Sequence, residues 1–247
     1  SDLRRQRQMC IRDRYYYNKE TEWGNEVVVS YKWHDLPPGS GLLDLELGRE
    51  SELTHYDWIT DTTVHDGSAW AYMKNSKYKT TTDLVHYLID NVSKNGYMLL
   101  NIGPKPDGTI PEEDKNLLEG IGNWLDVNGE AIFKTETWDQ YGEGPTKMNE
   151  AGPFSDNRAK LIYTAKDFRF TTKDNLLYAT ALGWPSKDFT IESIYKLFDN
   201  EIERVELLGS TDKVAWKHTR DGLHITRPDN KPCEHAYSFK ITRKEYL

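Results

Sequence analysis

Short β-rich runs alternate with two amphipathic helical runs between residues 27 and 128, and this pattern constrains the chain more than any other. Val27 to Lys32 (VVVSYK) is β-branched and bounded by Gly24-Asn25 and Pro37-Pro38-Gly39, so it reads as a buried strand. Leu42 to Leu47 (LLDLEL), between Gly41 and Gly48, predicts a second. Trp58 to Val64 is a weaker extended run, and Met98 to Ile102 is the last, entered by Gly96 and closed by Gly103-Pro104. Asp83 to Lys94 sets Leu84, Leu88 and Val92 on one helical face beside Val85 and Ile89, with threonines to cap it and Gly96 to end it. A second helix opens at Pro111 and carries Glu112, Glu113 and Asp114 at the positive end of its dipole. It buries Leu117, Leu118, Ile121, Trp124 and Leu125 and stops at Asn128-Gly129. Such alternation predicts βα units around a parallel sheet. A closed β/α barrel takes eight units in about 250 residues, and the roughly four units here amount to half of one. The expected class is therefore α/β, with residues 15–139 forming the C-terminal half of a (β/α)8 TIM-type barrel.

After Trp138 the character changes. Tyr141-Gly142-Glu143-Gly144-Pro145 reads as a linker, placed at 140–150. Short strands with turn signals follow at Asp167 to Thr172, Leu176 to Ala181, Val205 to Leu208, Leu223 to Thr226 and Ala236 to Thr242. That spacing predicts an antiparallel β-sandwich over 151–247, with a structural or sugar-binding role. At the other end, Ser1 to Arg14 (SDLRRQRQMCIRDR) resembles a translated sequencing-adaptor remnant. Residues 1–14 are expected to be foreign to the natural fold, a basic N-terminal arm being the alternative.

Composition narrows the partners. A net charge of −8 argues against nucleic acid or an anionic membrane surface. Cys10 and Cys233 are far apart and lack metal-type spacing, so neither a disulfide framework nor a metal site is expected. No apolar run approaches the ~18 residues of a membrane span. The 8 Trp and 15 Tyr suit sugar binding, where ring faces stack on pyranose C–H faces; they equally suit a β-rich protein.

The chemistry-bearing candidate is LLDLEL. Asp44 and Glu46 are two apart and project from one face of a strand. Reactive groups of β/α barrels sit at the carboxyl ends of strands, where Glu46 lies. A carboxyl there can serve as the proton donor of a glycosidase. A salt-bridge partner on the barrel rim has the same spacing.

The run VVVSYK, LDLELGRE, Tyr56 to Thr62 (YDWITDT) and Ser68 to Tyr72 (SAWAY) resembles, in that order, the retaining α-L-fucosidases. So do Val92 to Pro104 (VSKNGYMLLNIGP), Asp107 to Pro111 (DGTIP), Ile121 to Leu125, Asn128 to Ile132 and the Trp138 to Pro145 stretch. The resemblance implies that Glu46 is the general acid/base and that Trp70 lies against the C6 methyl of fucose. It sets Trp58 near the pocket, where a plain core tryptophan is the competing reading. Lys32 stands where many relatives carry Arg, implying a charged donor to sugar or carboxylate, although Lys lacks the guanidinium fork. The family's nucleophile is an Asp in a Trp-x-Asp-Gly setting on a strand that would precede Tyr15, and no Asp here fits it. Retention needs two carboxyl groups about 5–5.5 Å apart, so the chain alone is expected to be inactive. The resemblance implies no metal or organic cofactor, fucosylated oligosaccharides or glycoconjugates as substrates, and a secreted, periplasmic or lysosomal setting. A non-catalytic glycan-binding relative and a glycosidase of other sugar specificity are the alternatives. Exposed strand edges lead to the expectation that residues 15–247 alone aggregate.

Overall fold

The computed structural model describes residues 2–33, 35–36, 39–67, 69–157 and 160–244, and of residues 2–10, 13 and 157 the backbone alone. Ser1, Pro37, Pro38, Ser68 and the side chain of Cys10, all part of the sequence patterns, lie outside the described residues. A helix, α1 (Asp2–Trp23), runs without a break through the boundary expected at Tyr15. The Tyr17 hydroxyl donates to Ser40 O at 2.8 Å and accepts from Val29 N at 3.3 Å, tying the end of α1 to the first strand region.

Four strands then form one parallel sheet in chain order: β1 (Ser30–Lys32), β2 (Leu42–Asp44), β3 (Trp58–Thr63) and β4 (Gly96–Asn101). The first two are shorter than VVVSYK and LLDLEL suggest. Beyond Asp44 the chain turns, and Leu45 and Leu47 donate to Ile59 O and Asp61 O at the edge of β3. Helix α2 (Thr81–Ser93) joins β3 to β4, and α3 (Glu112–Asn128) follows β4. Thr80 caps α2 reciprocally with Asp83. Asn95, at φ 72°, takes the left-handed turn that ends α2. Gly96 is needed for another reason: a Cβ there would come 2.4 Å from the Trp58 ring. Leu84, Val85, Ile89, Leu117, Ile121 and Trp124 bury together and cover one face of the sheet. At the far end of α3, Gly129 stays right-handed and passes into a 3-10 turn, Gly129–Ala131.

The second half is all β. A five-stranded antiparallel sheet runs β5 (Glu136–Glu143), β6 (Phe168–Lys173), β7 (Leu176–Ala181), β12 (Tyr237–Arg243), β9 (Ile202–Leu207). A three-stranded antiparallel sheet runs β10 (Trp216–Thr219), β11 (Gly222–Ile225), β8 (Phe189–Ile191). Phe168, Phe170, Leu177, Phe239 and Ile241 of the larger sheet share a core with Ile191, Leu223 and Ile225 of the smaller. The chain thus has an α/β part followed by a β domain. It enters that domain earlier than a 140–150 linker would have it, because Trp138 packs edge-on against Phe170 and draws 136–143 into the sheet. Gly142 allows this: a Cβ there would stand 2.2 Å from Phe168 O.

The two parts meet through apolar groups, Leu182 and Ala236 burying against α2 and α3, and through polar ones. Asp90 of α2 is fully buried and accepts from Arg169 Nε of β6 at 2.6 Å and from Lys94 Nζ at 2.9 Å. Arg49, after β2, reaches the same carboxylate at 3.5 Å and Asp156 at 3.1 Å. Burial favours the neutral acid, yet the charges of Lys94, Arg169 and Arg49 hold the Asp90 pKa below the usual carboxylate range. Tyr141 and Tyr163 close the sides, their ring centroids 5.2 and 5.0 Å from the Arg169 guanidinium. Removing one partner from such a cluster leaves buried charge uncompensated, at about 3–5 kcal/mol. Asp90→Ala, which strands Lys94 and Arg169 and leaves Arg49 with Asp156, is expected to lower unfolding free energy by that amount in urea. A variant as stable as the parent would show that the cations find other partners.

Candidate active site

The carboxyl ends of β1, β2 and β3 bring four ionisable groups onto one face of the sheet. Lys32 ends β1 and pairs in register with Asp44, which ends β2. Asp44 pairs with Ile59, and alternation along β3 returns Asp61 to the same face. The Lys32 ammonium lies 2.8 Å from Glu46, 3.1 Å from Asp61 and 3.5 Å from Asp44. One lysine therefore serves three carboxylates. Burial works against its charge, but the bonds to Glu46 and Asp61 and the charge of Asp44 more than offset this and raise its pKa.

Three acids around one cation leave an excess of negative charge. The Oδ1 atoms of Asp44 and Asp61 are buried and find no donor among the described residues. A proton on Asp44 supplies one. Burial first, then hydrogen bonding to Asp61 and the charge of Asp61, push the Asp44 pKa up to about 6 against the pull of Lys32. Asp44, beside Asp61 and Lys32, can hold a proton at near-neutral pH.

The segment carrying Glu46 is fixed from the second half of the chain. Phe154 N donates to Glu46 O at 2.7 Å, Asp156 N to Leu47 O at 3.1 Å and Gly152 N to Arg49 O at 2.8 Å. Leu47 is held at φ 47° with its side chain buried. Gly48 tolerates no side chain, since a Cβ would meet Gly152 O at 2.0 Å. A left-handed leucine costs on the order of 1–3 kcal/mol and persists only where its surroundings over-determine it.

The expected aromatics fall in different places. Trp70 is half-buried in the loop after β3, at the same end of the sheet as Glu46. That loop is anchored by Thr63 Oγ1 donating to Ala69 O at 2.9 Å and by Asn101 Nδ2 donating to Trp70 O at 2.9 Å. Gly103 packs against it, a Cβ there meeting Tyr72 N at 2.8 Å. Trp58 instead starts β3, three residues from Asp61, and so faces the helices rather than the cluster. It is fully buried, its Nε1 donating to Lys94 O at 3.1 Å. Asp61 is the site residue that sequence reasoning misses, although it lies within YDWITDT; parallel pairing of β2 with β3 is what sets it beside Asp44. Among the described residues no group of three or more His, Cys, Asp or Glu side chains could hold a metal ion.

The raised Asp44 pKa has a consequence for stability. Between the ordinary carboxylate range near 4 and about 6 the folded chain binds more protons at this site than the unfolded chain. Its contribution is fully present at low pH and is lost as pH rises through 6. Asp44→Asn, a mimic of the protonated acid, is expected to raise the melting temperature at pH 7.5 and to flatten its fall between pH 4 and 6. An unchanged slope would mean that Asp44 holds no extra proton in the folded chain.

Residues 3–130, more than half of the chain, match the family model described as Alpha-L-fucosidase, and residues 160–242 match Alpha-L-fucosidase C-terminal domain. The tissue alpha-L-fucosidase of Rattus norvegicus is 29% identical over 240 residues, covering 93% of this chain and 47% of the relative. The plasma alpha-L-fucosidase of Pongo abelii is 31% identical over 198 residues, covering 77% and 38%. The crystal structure of the Thermotoga maritima alpha-fucosidase in complex with fucose superposes with a TM-score of 0.68 at 27% identity, over 92% of this chain and 47% of that one. The chain thus spans about half the length, or less, of the curated relatives it matches.

Proposed function

Because this chain belongs to the α-L-fucosidase family, we propose that it is part of a retaining glycoside hydrolase that removes terminal L-fucose from glycans. Glu46 is the general acid/base of this reading. It first protonates the leaving oxygen, then deprotonates the water that releases fucose. The observation that carries the reading is the place of Glu46: partly open, at the carboxyl end of a parallel strand, in a segment held against local strain. Trp70, on its anchored loop at the same sheet end, supplies the apolar surface for the fucose methyl, and Lys32 holds Glu46 in register and offers donors to the sugar.

The α/β part is, on this reading, the C-terminal half of a (β/α)8 barrel. The sheet supports it. Parallel sheets are normally covered on both faces, yet only the helix side is covered among the described residues, and Tyr97 and Leu99 of β4 remain more than half exposed on the other. A barrel interior would enclose them. The nucleophile belongs to the missing half in this view. Asp44 and Asp61 do not replace it, because Lys32 fills the space between Glu46 and Asp61 that a sugar ring would need.

The test joins these residues to the N-terminal half of a family member and follows release of nitrophenol and of a natural disaccharide's fucose. The 247-residue chain alone is expected to give no turnover. In the joined protein, Glu46→Gln should lower kcat on the disaccharide by about 10²–10⁴-fold. The loss should be smaller on the aryl fucoside, whose leaving group needs little protonation. Equal rates for parent and variant on the disaccharide would remove Glu46 from the chemistry.

A further inference from the structure

Far from the strand-end cluster in sequence, the β domain holds a cavity of about 540 Å³, within the range of about 300–1,000 Å³ typical of small-ligand sites. Trp138 and Gln140 of β5, Asn175 before β7, His218 of β10 and Arg243 of β12 line it. Its remaining side is the 192–201 loop between β8 and β9, which contributes Tyr195 and Phe198.

That loop is pinned. The Glu143 carboxylate accepts from Glu192 N at 3.0 Å and Ser193 N at 2.6 Å, and Ser193 Oγ donates to Gln140 at 3.0 Å. Lys196 N donates to Thr219 O at 2.8 Å, and Leu197 N to the Glu201 carboxylate at 3.0 Å. The bonds hold Tyr195, Leu197 and Phe198 outward, 50%, 68% and 66% exposed. A loop that spends its hydrogen bonds on displaying three large apolar side chains beside a cavity runs against the drive to bury them, and a cluster of this kind marks a contact surface.

The remaining lining says what the contact is with. Asp139 and Glu201 are balanced by Arg243 and Lys244. Burial lowers the His218 pKa despite the nearby Glu201 charge, so its ring is neutral near pH 7. The site therefore has no net field to select a phosphate, a nucleic acid or a charged peptide. Gln140 accepts from Ser193 and Asn175 donates to Arg243 O at 3.2 Å, which leaves the Gln140 amide donors and the Asn175 amide oxygen for hydroxyl groups that both accept and donate. Flat rings beside such amides match a pyranose, with apolar C–H faces and a polar rim.

We propose that this cavity is a binding site for a neutral oligosaccharide, separate from the strand-end carboxylates. It would hold a glycan chain on the β domain, whatever reaction occurs elsewhere. To test it, the 247-residue chain is titrated with lactose, maltotriose and a fucosylated lactose trisaccharide, following heat and tryptophan fluorescence. At least one sugar should bind saturably, with Kd on the order of 1 mM. Tyr195→Ala and Phe198→Ala, both at exposed positions that spare the core, should each weaken binding about tenfold, while Glu46→Gln leaves it unchanged. Binding lost in Glu46→Gln but kept in Tyr195→Ala and Phe198→Ala would put the sugar at the strand ends and overturn the proposal. So would the absence of heat or fluorescence change with every sugar at about 20 mM. Neither outcome touches the hydrolase reading, which stands or falls on the rate effect of Glu46→Gln.

Discussion

A single buried carboxylate organises this molecule. Asp90 lies buried in the last turn of α2, where an unpaired charge would be prohibitive, and it is tolerated because cations reach it from three directions. Lys94 comes from the end of its own helix, Arg49 from the segment after β2 and Arg169 from the second strand of the β domain. Each carries a different piece of chain to the same point. The helix layer, the edge that bears Glu46 and the larger β sheet are therefore linked by charge, beside the apolar contact that Leu182 and Ala236 of the β domain make with α2 and α3. Such a cluster adds little net stability compared with a well-packed apolar one, but it punishes misalignment severely.

Arg49 passes this constraint on to the candidate site. It comes directly after Leu47 and Gly48, in a segment whose backbone is bonded to residues 152 and 156, while Phe154 bonds to Glu46. The β domain thus acts on the site without lending it a side chain. It holds the peptide on which Glu46 sits, and holds Leu47 in a conformation that an isolated strand end would abandon. The backbone bonds from residues 152–156 and the position of Glu46 are in this sense one arrangement, which suits a site whose geometry must be fixed to fractions of an ångström.

Much of this is legible in the sequence where the signal is local. The strands at 58–64 and 98–102, both helices, and the strands around 168, 176, 205, 223 and 237 lie within a few residues of where periodicity and turn residues set them. Glu46 and Asp44 both reach Lys32, although β2 ends at Asp44 and Glu46 gets there from the turn after it. What the sequence withholds depends on pairing between distant segments. Asp61 joins the cluster because β3 lies beside β2. Glu136–Glu143 reads in sequence as the end of one domain and a linker because its mixed polar pattern hides a strand that Trp138 and Phe170 pull into place. Gly96 has the look of a helix stop, whereas Asn95 makes the turn and Gly96 yields to Trp58. Trp58 itself shows how a motif residue can be a packing residue, since the register that exposes Asp61 turns Trp58 inward.

The face that bears the cluster also explains its electrostatics. Lys32, Asp44, Ile59, Asp61, Tyr97 and Leu99 alternate onto one side of the sheet, charged at Lys32, Asp44 and Asp61 and apolar on β4. A single lysine there stands among three carboxylates. Covering that side would bury Tyr97 and Leu99, worth about 1.5–3 kcal/mol each, and would strengthen every charge interaction at the strand ends. The apolar gain would then have to offset a larger repulsion between Asp44, Asp61 and Glu46. A proton on Asp44 is able to absorb it, because taking up that proton removes one charge without moving a side chain. Covering the apolar half would therefore raise the Asp44 pKa further, because excluding water strengthens both the burial and the Asp61 charge that already push it up.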